Sequence, residues 1–155
     1  MLTEQEKEKI RAEAAHFENP QAASIEALKV VQERAGWVSD EDLKEVAALL
    51  SMSPAALDSV ATFYNLIFRK PVGKHVILVC DSVSCWVMGY EGICEHLKNR
   101  LGVDLGGTTA DGKFTLIPMC CLGTCDRAPA MMVGNDLHRN LNPEKIDEIL
   151  ATYGD

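Results

Sequence analysis

Basic charge is scarce in this sequence: 15 lysines and arginines face 23 aspartates and glutamates, a formal net charge of -8 over 155 residues. Binding nucleic acid requires a concentrated cationic surface to meet the phosphates. The composition argues against that class and for a solvated acidic surface, which would also suit docking to a more basic protein. Long apolar runs are missing too. A membrane-spanning helix takes roughly 20 apolar residues in succession, and no stretch comes near that length. The opening MLTEQEKEKIRAEAAHF mixes charges with short side chains and has neither the apolar stretch nor the cleavage site of a secretory signal. The expectation is an intracellular protein. Aromatics are sparse at 6%, yet 47% of the residues are hydrophobic, enough for one compact domain or two small ones without disulfide staples.

Signatures of nucleotide and hydrolytic chemistry are absent as well. Gly106-Gly107 sits in GVDLGGTTADG, which fits neither GxGxxG nor a P-loop and reads as a connection. His16, His75, His96 and His138 are scattered, form no HExxH, and pair with no cysteine at metal-ligand spacing. No CxxC occurs, so dithiol exchange is not expected. What the chain does have is clustered cysteine. Five of its six cysteines lie in CDSVSC, Cys80 to Cys85, and CCLGTC, Cys120 to Cys125. Structural disulfides are rare in a reducing compartment, so clustered thiols read as metal ligands or redox groups.

The two halves of the chain have different periodicity. After an opening charged helix, Asn19-Pro20 supplies a cap and a first-turn proline, and Ile25, Leu28 and Val31 recur on one face until Gly36. Ser39 opens a third helix with Leu43, Val46, Ala47 and Leu50 as its apolar stripe. Ser53-Pro54 opens a fourth, with Leu57, Val60, Ala61 and Tyr64 at helical spacing. RKPVGK, residues 69 to 74, breaks that rhythm and marks the boundary between a helical bundle, residues 1–70, and a second domain, residues 71–155. There HVILV, His75 to Val79, is a β-branched run suited to a buried strand, and it leads directly to Cys80. A helix is expected from about Gly89 to Leu101, and a hairpin over Thr108 to Leu116 around Asp111-Gly112, its second strand leading to Cys120. A strand over Ala130 to Val133 and a last helix after the Asn142-Pro143 cap complete an α+β fold.

Four thiolates can complete a tetrahedral zinc site or the ligand set of a 2Fe-2S cluster. Structural zinc sites are commonly built from two tight C-x2-C turns. Here Cys80 and Cys85 form C-x4-C, and the second loop is C-x3-C from Cys121 or C-x4-C from Cys120. These wider loops suit a two-metal core with one thiolate pair on each metal. Cys94 lies inside a predicted helix and reads as a small buried hydrophobe. Cys120 and Cys121 point to opposite faces of an extended stretch, and spacing alone leaves the choice between them open. Gly123 can let backbone amides approach the sulfurs, and Ser82, Ser84 and Thr124 can donate further hydrogen bonds. Val83, Trp86, Val87, Met88, Met119, Leu122 and Met131 are expected to limit water access.

These residues, with the stretches AASIEALKVVQERAGWV, VATFYNLIF, PVGKHVILVCDSVSCWVMGYEG and TLIPMCCLGTCDRAPAMMV, resemble the thioredoxin-like 2Fe-2S subunit, the NuoE type, of the NADH-dehydrogenase module of respiratory complex I. The resemblance runs from about residue 18 to the end. It implies a thioredoxin-like 2Fe-2S ferredoxin domain behind a helical bundle that docks and braces, with a cis peptide before Pro129. It implies one 2Fe-2S cluster on Cys80, Cys85, Cys121 and Cys125, with Cys120 outside the ligand set. It also implies a one-electron carrier of an NADH:quinone oxidoreductase, with no catalytic residue of its own. The FMN and NADH would sit on a partner subunit, a large iron-sulfur subunit would lie nearby, and the assembly would be peripheral on the cytoplasmic side of a bacterial inner membrane. The same family serves NAD-dependent formate dehydrogenases and NAD-reducing hydrogenases, which are alternative settings. A zinc-stabilised interaction module without redox activity is the alternative of a different class.

Overall fold

Hydroxyl and amide side chains at the starts of the helices order the first part of the molecule. Thr3 and Glu6 form a reciprocal capping box, in which the Glu6 amide donates to Thr3 Oγ1 at 3.2 Å and the Thr3 amide to Glu6 Oε2 at 2.7 Å. Ser39 and Ser53 each accept from an amide three residues on, both at 3.1 Å. Asn19 caps a single 3-10 turn, Pro20–Ala23, that runs into the next helix. Each such cap is worth about 1 kcal/mol. The computed structural model describes residues 1–153. It resolves into two compact units, Met1–Pro71 and a second that begins at Val72.

The first unit holds four helices, α1 (Glu4–Ala14), α2 (Ser24–Ala35), α3 (Asp40–Leu49) and α4 (Pro54–Phe63). Their inward stripes, including Ile10, Leu28, Val31, Val46, Leu50 and Leu57, form one continuous core. Burying each such side chain contributes about 1.5–3 kcal/mol. Arg34 on α2 donates to Glu6 on α1 at 2.6 Å and lies 3.3 Å from Asp42 on α3, so a charged network joins three helices. Arg69 does the same near the end of the unit, bonding Asp58, Asp40 and the Val38 carbonyl. Tyr64 departs from the expected stripe. It follows the last turn of α4 in extended conformation and stays exposed, because the helix ends before its side chain can turn inward.

The second unit is built on a four-stranded sheet in the order β2-β1-β3-β4, with β1 (His75–Cys80), β2 (Phe114–Met119), β3 (Met131–Val133) and β4 (Asp136–His138). β1 runs parallel to β2 and antiparallel to β3. Ile77 to Cys80 are all buried, so side chains on both faces of β1 are covered there, which is why HVILV is apolar rather than alternating. The unit also holds a short helix α5 (Val83–Val87), the longer α6 (Tyr90–Leu101) and, at the end, α7 (Pro143–Thr152). Ile93 and Leu97 of α6 and Ile146, Ile149 and Leu150 of α7 share one core with Ile77, Leu116 and Met131 of the sheet. Gly89 and Gly102 bound α6 in left-handed conformations that a side chain would disfavour. The expected mixed fold, helices first and sheet second, is the one observed.

Two expectations in this unit need correction. The Asp111-Gly112 turn forms, with the Gly112 amide donating to the Thr109 carbonyl at 2.8 Å, but the first hairpin arm pairs only through an isolated bridge, Thr108 to Thr115. Gly106 and Gly107 keep that arm irregular while still bonding Leu116. The strand expected over Ala130 to Val133 forms as β3, but it is one arm of a hairpin whose second strand, β4, follows the turn at Gly134-Asn135 and was not expected. Among the described residues, no single helix is long and apolar enough to cross a membrane.

Candidate metal centre

The register of the parallel pair determines where the cysteines fall. Cys80, the last residue of β1, stands opposite Met119, the last residue of β2, and the Asp81 amide donates to the Met119 carbonyl at 3.0 Å. On the other side of β1, the Cys80 amide donates to the Ala130 carbonyl at 3.1 Å. Both cysteine loops therefore leave the same end of two neighbouring strands, which suits a group that must keep its geometry. From Asp81 the chain turns into α5, which carries Cys85 back beneath the strand ends. Cys80 and Cys85 are each only 2% exposed and pack with Ala128 and Ala130. From Met119 the second loop passes Cys120 and Cys121, turns at Gly123 with φ +76°, and reaches Cys125 at the head of a 3-10 turn, Cys125–Arg127. The Ala128–Pro129 peptide that follows is cis.

The sulfurs meet as two pairs. Cys121 and Cys125 lie 3.3 Å apart at the surface, while Cys80 and Cys85 pack together in one buried cluster. Cys125 also interacts electrostatically with both Cys80 and Cys85, so the two pairs share one neighbourhood. Cys120 is exposed and takes no part in these contacts. Cys94 is buried in α6, and Tyr90 of the same helix packs against the buried cysteine pair.

The Gly123 amide donates to Cys121 Sγ at 3.3 Å. The backbone carbonyls of Ser82 and Thr124 accept from the Trp86 and Arg127 amides at 2.9 and 3.0 Å. The thiols respond to these surroundings. Burial, with the bond to Cys80, pushes Cys85 up to about 11, the Ala130 amide opposing it. The Gly123 amide holds Cys121 below the usual thiol range, with Cys125 assisting, whereas Cys125 is pushed up by Cys121 against the pull of Ser84. The exposed pair thus shares a proton unequally, and binding a metal requires the thiols to give their protons up.

The donor set fits a sulfur-rich, two-metal group better than one ion. A single tetrahedral metal with sulfurs at about 2.3 Å holds all of them roughly 3.8 Å from one another. Among the described residues no three metal-ligating side chains converge in that way. The separate pairs, one near 3.3 Å, match two metals with two thiolates each. The apolar screen expected around them is built only in part: Leu122 packs against the buried cysteine cluster. Val83, Trp86, Val87 and Met88 on and after α5 are 57–70% exposed, because that helix lies on the surface with this face outward. Met131 is buried in the sheet core instead.

A thioredoxin-like unit with two cysteine loops at its strand ends defines a class of iron-sulfur proteins, and the chain belongs to it: the model of the thioredoxin-like [2Fe-2S] ferredoxin family matches residues 10–154. Relatives of nearly full length narrow the class to components of an oxidoreductase complex. The chain is 50% identical to the E subunit of the NADH-quinone oxidoreductase of Escherichia coli K12, over 98% of its own length and 92% of the relative's. It is 46% identical to the corresponding protein of Pseudomonas aeruginosa, over 99% and 92%. Among solved structures, a chain of an NAD+-reducing [NiFe]-hydrogenase in its H2-reduced state shares the fold, with a TM-score of 0.73 at 23% identity. That match covers 85% of this chain and spans only 22% of the hydrogenase chain.

Proposed function

We propose that the chain holds one 2Fe-2S cluster on Cys80, Cys85, Cys121 and Cys125 and serves as a one-electron carrier of an NADH:quinone oxidoreductase. The observation that carries the reading is the meeting of a buried and an exposed thiol pair at the same end of parallel strands β1 and β2. When bound, the cluster supplies one-electron chemistry, taking up and releasing an electron without breaking a bond in this chain. The chain's own residues do the rest. Four thiols become thiolates, the Gly123 amide donates to sulfur, and the sheet holds both loops in place. The exposed pair, Cys121 and Cys125, leaves a short path to a partner's surface.

No dinucleotide-binding motif occurs in the sequence, and the relatives' names refer to NADH and quinone. These facts support placing FMN and NADH on a partner subunit, with a larger iron-sulfur subunit nearby and the assembly peripheral on the cytoplasmic side of a bacterial inner membrane. The division at residues 1–70 and 71–155 separates docking from electron carrying. Exposed Phe63, Tyr64 and Leu66 at the end of α4 support a docking and bracing role for the helical unit. The test is electron paramagnetic resonance of the dithionite-reduced protein, with iron and sulfide counted on the same sample. Equal iron and sulfide at one cluster per chain, with a single-electron signal on reduction, is the expected result; a colourless protein with one zinc per chain would overturn it. Purification of the native complex tests the setting. Co-purifying formate dehydrogenase or hydrogenase subunits would replace the quinone-linked assignment.

A further inference from the structure

The loop that carries Cys125 is anchored to β1 at both ends, through the carbonyls of Met119 and Ala130, and between those anchors a second segment grips it. That segment is the connection from β4 to α7, residues 139–141. The Asn140 amide donates to the Arg127 carbonyl at 2.8 Å, and the Leu141 amide to the Pro129 carbonyl at 3.1 Å. The chain offers both amides to the same stretch by taking a left-handed conformation at Asn140, with φ +48°. Among the described residues of this unit, Asn140 alone has such a φ without being a glycine. The conformation disfavours most side chains, asparagine less than others, and persists where the surroundings hold it. Here they do: Leu141 is buried in one core with Ile146 of α7, and the Lys145 ammonium bonds the Arg139 carbonyl. The Asn140 side chain itself is exposed, so its backbone is what the fold uses.

We infer that Asn140 is a positioning residue for the metal centre: its left-handed backbone aims two amides at the segment from Cys125 to Pro129 and so fixes where the Cys125 sulfur stands. The inference rests on the reading of the four cysteines as cluster ligands. Cys125 is exposed and heads a single 3-10 turn rather than a paired strand, so packing alone constrains it little. The two bonds remove that freedom, one of them ending on Arg127, two residues beyond the sulfur. The same stretch presses Ala128 and Ala130 against Cys80 and Cys85. A shift of the grip therefore moves the exposed thiol pair relative to the buried one.

The experiment follows loss of the centre to a chelator by visible absorbance, and the electron paramagnetic resonance of the dithionite-reduced protein, in the loaded full-length wild type and in Asn140→Gly, Asn140→Ala, Asn140→Val and Ile146→Val. Glycine keeps the backbone conformation and both amides, and that variant matches the wild type in rate and spectrum. Valine, whose branched side chain opposes positive φ, loses the centre roughly tenfold faster, the order found when groups supporting a metal ligand are removed, and changes the spectrum of what remains. Alanine falls between them and carries the comparison where valine fails to load. Ile146→Val loosens the same core without touching either amide; it lowers the thermal midpoint and leaves the spectrum unchanged, which separates positioning from stability. Wild-type rate and spectrum in Asn140→Val and Asn140→Ala would overturn the role of Asn140 alone, as would a glycine variant that falls as far as valine or a spectrum changed equally in Ile146→Val. A wild-type chain that takes up no iron and sulfide would overturn the ligand reading and this inference together.

Discussion

Thr115→Val tests how β2 is held in register. Thr115 is 2% exposed, and its hydroxyl accepts from the Gly73 amide at 2.6 Å while bonding Thr108 Oγ1 at 2.7 Å. The backbones are close here: a Cβ on Gly73 would lie 2.9 Å from the backbone of Lys113 and Phe114. Valine keeps the shape of threonine but leaves the Gly73 amide buried with no acceptor and no room for water. The cost of such a group is about 1–3 kcal/mol. Thr108 is exposed and can turn to solvent, so it adds little. In urea the unfolding midpoint should fall by roughly 1 M, and the Gly73 amide should lose protection from hydrogen exchange. The Thr115→Ser variant keeps the hydroxyl and loses one methyl, at about 0.8 kcal/mol, and should preserve that protection. The reasoning fails if Thr115→Val stays within about 0.5 kcal/mol of wild type with Gly73 still protected. The pin bears on the metal centre because a one-residue slip of β2 would turn every side chain to the opposite face and shift Met119 from its place opposite Cys80.

Other substitutions address the site and the helical unit. Cys121→Ser and Cys125→Ser should sharply reduce cluster retention, whereas Cys120→Ser and Cys94→Ser should leave the visible spectrum nearly unchanged; loss in Cys120→Ser with retention in Cys121→Ser would exchange their roles. Gly123→Val forces a β-branched residue into a φ of +76°, which costs about 1–2 kcal/mol, and should weaken cluster retention when followed by absorbance during chelator challenge. Burial by itself would raise Glu6 and Asp42, but hydrogen bonds from Thr3 and Arg34 to Glu6, and from the N-terminus and Ser39 to Asp42, hold both below the usual carboxylate range. Their stabilisation is present above the unfolded values near pH 4 and is lost as pH falls through the lower folded values. Asp42→Asn should therefore lower the unfolding free energy at neutral pH, by about 1–2 kcal/mol, and flatten its decline between about pH 5 and pH 3. Parallel acid profiles for the two proteins would refute that role.

The parts legible from sequence are those written in neighbouring residues. Ser39 and Ser53 cap the helices they precede, Asn142 accepts from the Lys145 amide at 2.8 Å at the start of α7, and Gly102 ends α6. Helix α5 was not legible: five residues, two of them valine, are too few to show a period and too short to be helical alone. The β3–β4 hairpin carried a usable signal in Gly134-Asn135 that a three-residue strand on either side made easy to pass over. The exposure of Trp86 and its neighbours could not be read at all, since apolar composition does not say which face of a short surface helix points outward.

By itself, then, the amino-acid order determined two stretches of different periodicity, the caps and stops of the longer helices, and the gathering of thiols into two loops, all of which depend on residues within a turn or two of one another. Only the tertiary structure decided that β1 pairs in parallel with β2 and antiparallel with β3, and hence which sulfurs meet. Strand pairing across some forty residues of intervening chain is settled by where the apolar faces of α6, α7 and the sheet can be buried together, and no local pattern encodes that outcome.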